Sequence, residues 1–256
     1  MERIGRWIAG KLERPSRGYE PFTRLDLNAL RRALQPADVL LVEGNSKLSS
    51  AIKYLTQSTW SHAALYVGRA PGMADEGVET RELIEANLDD GVVAVSLSKY
   101  DKLNCRICRP VGLTDTAKCD VIEFMIARIG HGYDARHVVD LVRYLLPTPP
   151  VPVRWRRRML ELGSGDPTRT ICSTLIAEAF QSVRFPILPH IEQILDQSKI
   201  VSEYSRQEIL HIRDSRLYVP RDFDVSPYFQ IVKPTIESGF DYLQLTWAVP
   251  ERQLTR

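Results

Sequence analysis

Three residues, far apart in the chain, have the types that thiol chemistry needs. Cys172 lies in "TRTICSTLIAEAF", His62 opens the apolar run "SHAALYVG", and Glu85 sits inside "RELIEAN". A cysteine can attack a carbonyl, a histidine can take and return its proton, and a carboxylate can orient the imidazole and stabilise its charged form. Each residue also has a plainer use. A free cysteine is commonly a small buried hydrophobe. A histidine at the head of an apolar strand can be a core residue with its hydrogen bonds satisfied. A glutamate on a strand can face water at an edge. None of the three is decisive alone; the chemistry requires that they meet.

The elements around them say how they could. In "TRTICSTLIAEAF", Thr170 is a suitable N-cap, and Leu175, Ile176, Ala179 and Phe180 make an apolar stripe. Cys172 then falls in the first helical turn, where the helix dipole and unpaired backbone N–H groups favour a thiolate. The same N–H groups can hold an oxyanion. "SHAALYVG" and "RELIEAN" read as strands. On the second, Glu85 shares a face with Leu83, while Ile84 and Ala86 take the other. A carboxylate between apolar neighbours is costly to bury unless it is paired.

The remaining elements form an α+β pattern. "TRLDLNALRRAL" predicts a helix stopped by Pro36, "ADVLLVEG" a strand, and "SKLSSAIKYLTQ" a helix. "GVVAVSLSKY" and "KLNCRICRPV" predict two further strands, and "DTAKCDVIEFMIARIG" a helix closed by Gly130. "DARHVVDLVRYLL" and "RWRRRMLELG" read as helices around the proline-rich break "PTPPVPV". Strands grouped in the middle with helices on both sides make this an α+β chain, with no linker long enough to force a second domain.

Composition narrows the function classes. At 256 residues with 44% hydrophobic content the chain can bury a sizeable core, and a net charge of +2 gives no global reason to expect nucleic acid. No apolar stretch approaches a membrane span, and "MERIGRWIAGKLERPS" lacks the apolar centre of a secretory signal. The expectation is a cytoplasmic chain whose four cysteines, Cys105, Cys108, Cys119 and Cys172, stay free. Cys105 and Cys108 form a C-x-x-C, but a strand points them to opposite faces and no second pair follows, so no metal is expected. No cofactor motif is present: glycine-rich phosphate loops and the G-x-S-x-G elbow are both missing.

Taken together, "ADVLLVEGNSKLSSAIKYLTQSTWSHAALYVG", "LIEAN", "ICSTLIAEAF", "GYD" at 132–134 and "VPRDFDVSPYF" resemble the permuted NlpC-type cysteine hydrolases, often called YiiX-like. The resemblance runs from Ala37 to Val232. It implies a circularly permuted papain-like fold, a central antiparallel sheet or small barrel packed against helices, in which the histidine strand and the acid precede the cysteine helix, as His62, Glu85 and Cys172 do here. It implies Cys172 as nucleophile, His62 as base and Glu85 as orienting acid. Tyr133 becomes a candidate for substrate or oxyanion contact, with a core tyrosine as its alternative. Trp60 and Ser61, beside His62, read as cleft rim and substrate contacts. Asp38 matches an acid that precedes the first strand in that family and reads as structural. The activity implied is cleavage of an acyl ester or amide through a thioester, by hydrolysis or by transfer to another acceptor.

Two segments bear on the substrate. Residues 1–22 read as an amphipathic helix and linker ahead of one hydrolase domain at 23–256. Ile4, Trp7, Ile8 and Leu12 share a face, with Arg3, Arg6, Lys11 and Arg14 around it. That helix either docks on its own domain or touches a membrane surface or partner. Residues 136–166 mix apolar residues, prolines and Arg154, Arg156, Arg157 and Arg158 just before the nucleophile helix. They read as a solvated surface helix or as a lid that meets acyl chains and phosphates. Both features lean toward an acyl-lipid substrate such as a phospholipid, at a peripheral membrane contact. A cell-wall or other peptide amide is the alternative substrate, and a non-catalytic binding protein the alternative class.

Overall fold

The computed structural model describes residues 19, 21, 26–69, 80–87, 90–132, 171–194, 207–211 and 213–244. Within them, α1 (Leu27–Ala33) precedes β1 (Val39–Val42), α2 (Lys47–Thr56) and β2 (His62–Tyr66). Next come β3 (Leu83–Asn87), β4 (Gly91–Val95), a 3-10 turn (Leu97–Tyr100), β5 (Cys105–Pro110) and α3 (Asp115–Ile126). After the cysteine helix α4 (Ile171–Ser182) follow β6 (His190–Ile194), β7 (Gln207–His211), α5 (Pro220–Val225), β8 (Phe229–Val232) and α6 (Pro234–Glu237).

Six strands make one antiparallel sheet in the order β4-β3-β2-β1-β5-β8, and β6 pairs β7 in a separate two-stranded sheet. The six-stranded sheet is open, so the barrel alternative is not what forms. Register places Val42 of β1 opposite His62 on one side and Cys105 on the other. The histidine thus enters the sheet at the end of the most buried strand, every residue of which is inaccessible.

Alternation along the strands divides the core into two layers. Val39, Leu41, Ala63, Leu65, Ile84, Ala86 and Cys108 face α3 and α4. Leu40, Val42, Ala64, Tyr66, Leu83 and Ile107 face α1, Leu97 and Tyr100. Cys105 packs against this second layer, so the two cysteines of the C-x-x-C stand on opposite faces, as a strand dictates.

Local chemistry explains where elements begin. Ser46 caps α2 by accepting the Ser49 N–H, and Thr114 caps α3 by accepting from Ala117. Asp26 starts α1 a turn later than the apolar pattern suggests, by accepting from Asn28. Asp38, wholly buried, takes a two-pronged ion pair from Arg109 of β5 at 2.9 and 2.8 Å and the Gln35 N–H at 2.8 Å. This joins the end of α1 to β5 and gives Asp38 the structural use expected of it.

One element differs from expectation in a way that matters. "GVVAVSLSKY" alternates like a strand, yet pairing stops at Val95. Ser96 then accepts the Ser98 N–H with its side chain and turns the chain into the 3-10 turn. A hydroxyl that bonds the backbone two residues on offers an alternative to the ladder. The turn folds Lys99 and Tyr100 back over β3.

Candidate active site

His62 and Glu85 stand on the same face of neighbouring strands, because each shares its strand's parity with the second layer. The His62 Nε2 lies 2.8 Å from Glu85 Oε2. Glu85 is wholly buried, while the His62 side chain is 24% exposed. The same imidazole also has the Cys172 side chain as a neighbour, and that sulfur acts on its proton affinity. With Nε2 turned to the carboxylate, Nδ1 is the nitrogen left to meet the sulfur.

Cys172 is the second residue of α4 and is 1% exposed. The helix is buried almost all round: Ile176, Ala177, Ala179 and Phe180 are inaccessible, and Ser173 donates to the Tyr218 carbonyl at 2.8 Å. It packs on α3, β2 and β3. Phe180 meets Phe185, Phe223 and Phe229 at ring separations of 5.3–6.5 Å, which ties the helix to α5 and β8. The low exposure of Cys172 is also what a packed core thiol shows. What distinguishes it is the imidazole. Burial pushes the Cys105 thiol up to about 12 and the Cys108 thiol higher still. Neither of those sulfurs has an imidazole among the groups that act on it.

The electrostatics follow from the pairing. Burial alone would drive the proton off His62. The charge on Cys172, the hydrogen bond to that sulfur and the bond to Glu85 outweigh it and raise the imidazole to about 10. Burial would likewise protonate Glu85, but the hydrogen bond and charge of His62, then those of Lys99, hold the carboxyl well below the usual carboxylate range. The histidine is therefore held as an imidazolium at neutral pH, between a sulfur and a carboxylate.

Glu85 has further partners that the sequence did not reveal. Tyr100 donates its hydroxyl to Oε2, Lys99 its ammonium to Oε1, and Asn87 Nδ2 donates to Oε1 at 3.4 Å. The Tyr100 ring lies 6.3 Å from the imidazole. The signal that could have located the first two is the Ser-x-Ser at 96–98, which ends the strand and begins the 3-10 turn.

Trp60 and Ser61 are buried, and their polar atoms are committed elsewhere. Ser61 Oγ accepts the Gly44 N–H at 2.9 Å. Trp60 Nε1 donates to Asp224 at 3.0 Å, and Arg106 stacks over the indole at 4.8 Å while pairing with the same Asp224. These bonds give both side chains a structural use beside His62. Tyr133, Thr170, the amphipathic helix expected before Arg14 and the segment at 136–166 lie outside the described residues. No helix among the described residues is long and apolar enough to cross a membrane.

No family model matches the sequence, and no curated protein matches it. Among solved structures, the chain is similar to the crystal structure of metalloprotein yiiX from Escherichia coli O157:H7, DUF1105. Identity is 13%, covering 78% of this chain and 97% of that one, with a TM-score of 0.45. A likeness of this size leaves the chemistry to be argued from the residues themselves.

Proposed function

We propose that the chain is a cysteine hydrolase or acyltransferase that cleaves an acyl ester or amide. The observation that carries this reading is a single imidazole held between a buried carboxylate, at 2.8 Å, and the sulfur of Cys172. The Cys172 thiolate attacks the acyl carbonyl carbon. The carbonyl electrons move onto oxygen, where the first backbone N–H groups of α4 can receive the charge. Collapse breaks the bond to the leaving group, which takes the proton from His62. This leaves an acyl thioester and a neutral imidazole. Water then attacks the thioester and gives its proton to His62, which restores the thiolate–imidazolium pair and releases the acid. An acceptor alcohol or amine in place of water gives transfer.

The chain order His62, Glu85, Cys172 also supports a permuted papain-like fold. The substrate reading leans to an acyl lipid such as a phospholipid at a membrane surface. It rests on the basic, apolar character of residues 1–22 and 136–166.

Phospholipid vesicles and cell-wall peptide fragments, offered separately, distinguish the substrates by released fatty acid or new amines. The expected outcome is fatty-acid release that Cys172→Ala abolishes and His62→Ala lowers by about 10²–10⁴-fold. New amines alone would move the substrate to peptide amides. Undiminished turnover by a folded Cys172→Ala protein would end the cysteine mechanism. A neutral alkylating reagent gives an independent check, with exposed Cys119 as internal reference. Cys172 is expected to be modified faster than Cys105, Cys108 and Cys119 near neutral pH. Equal or slower labelling would favour a non-catalytic binding protein on this fold.

A further inference from the structure

The carboxylate behind His62 is saturated. Ionised Glu85 offers about four acceptor sites on its two oxygens. Oε2 receives His62 Nε2 and the Tyr100 hydroxyl; Oε1 receives Lys99 Nζ and Asn87 Nδ2. The Glu85 side chain has no exposed surface. Two of the four donors, Lys99 and Tyr100, are adjacent residues of one 3-10 turn whose first residue follows the capping Ser96. Tyr100 is 3% exposed and packed in the core, whereas the Lys99 side chain is 45% exposed and passes 5.7 Å from the Tyr100 ring.

The groups around the histidine and glutamate come from four elements. Cys172 belongs to α4, Glu85 and Asn87 to β3, Lys99 and Tyr100 to the 3-10 turn, and Cys105, beyond Tyr100, to β5. Along the line His62, Glu85, Lys99 a carboxylate stands between two cations. A buried carboxylate with His62 as its sole counter-ion would grip the imidazolium proton tightly. That helps form the ion pair but hinders release of the proton to a leaving group. A second cation and a neutral hydroxyl on the same carboxylate reduce its pull. Burial and the charge of Glu85 push the Tyr100 hydroxyl well above its ordinary value, so it stays a donor throughout the working range.

We propose that Lys99 and Tyr100 are positioning residues for the cysteine chemistry: they fix the Glu85 carboxylate against His62 and share its charge, which limits how tightly His62 holds its proton. This rests on the reading of Cys172, His62 and Glu85 given above. Donors that only satisfied the carboxylate would leave the His62 proton unmoved, so the test reads that proton.

The test uses the full chain as wild type, Lys99→Met, Lys99→Arg and Tyr100→Phe. Iodoacetamide labelling of Cys172 is followed by mass spectrometry between pH 4 and 11, and His62 is titrated by NMR with labelled histidine. In Lys99→Met the upper transition of both curves is expected to rise by about one pH unit. Tyr100→Phe, which keeps the ring, moves it up by less, and Lys99→Arg restores the wild-type position. An unmoved or lowered transition in folded Lys99→Met and Tyr100→Phe overturns the proposal and leaves both residues a structural role. Should Tyr100→Phe fail to fold, the half-exposed Lys99 decides alone. Failure of the underlying reading looks different: wild-type His62 then titrates near 6.5, and Cys172 labels no faster than Cys119.

Discussion

His62 is bound to its proton more tightly in the folded chain than in the unfolded one, and Glu85 less tightly. The two shifts act on stability at opposite ends of the pH scale. The raised histidine favours the folded state fully below its ordinary value of 6.5, and that advantage is lost as pH rises through about 10. The depressed glutamate favours the folded state above its ordinary 4.5, and that advantage is lost as pH falls below it. Replacing Glu85 by Gln removes the charge and leaves the imidazolium without its buried partner. The stability gap between wild type and Glu85→Gln is therefore expected to be widest between pH 5 and 6.5, at about 3–5 kcal/mol. It should narrow toward pH 10 and toward pH 3. Urea unfolding of both proteins across that range measures it. A gap that does not change with pH would mean that the two groups do not titrate as a pair.

At the scale of elements, the nucleophile depends on how α4 is seated. Phe180 lies two turns below Cys172 on the same helix, is inaccessible, and stacks edge-on against Phe229 at 5.3 Å. Phe180→Ala should lower unfolding stability by about 3–5 kcal/mol, by lost transfer energy and an unfilled cavity, in urea or thermal unfolding. A loss below about 1 kcal/mol would mean that α5 and β8 collapse onto the helix and that the aromatic cluster does not hold it. The helix was legible in the sequence because its apolar stripe repeats at helical spacing. The placement of Glu85 was legible because strand alternation puts it on the Leu83 face. What was not legible is the turn at Ser96. "GVVAVSLSKY" has the composition and alternation of a strand along its length, and the Ser-x-Ser at 96–98, whose first hydroxyl ends the strand, is a weak local signal against that pattern. The donors to Glu85 were missed with that turn. So was the edge strand β8, whose pairing to β5 spans over a hundred residues and leaves no local pattern.

At the scale of the molecule, the site is assembled from elements at both ends of the described chain, and polar ties join them. The clearest is Asp224 in α5. It accepts from Trp60, two residues before His62, and pairs at 2.6 Å with Arg106 of β5. Arg106 in turn stacks on the Trp60 indole. One carboxylate thus links the approach to the histidine strand, a central strand and the helix that packs beneath the nucleophile helix. Asp224→Ala leaves a buried indole N–H without its acceptor and a half-buried guanidinium without its counter-charge. Each such orphan is unfavourable by about 1–3 kcal/mol, and the guanidinium, being partly solvated, falls at the low end. The expected loss is about 2–3 kcal/mol in urea unfolding. Asp224→Asn keeps an acceptor for the indole and should recover about half of it. The hydrogen-bonded line from Cys172 to Lys99 runs through α4, β2, β3 and the 3-10 turn and does not include Asp224. Cys172 labelling in folded Asp224→Ala should therefore keep the wild-type pH dependence. A shifted profile would show that the tie reaches the site through Trp60, and that the seating of His62 is a property of the whole sheet rather than of its own two strands.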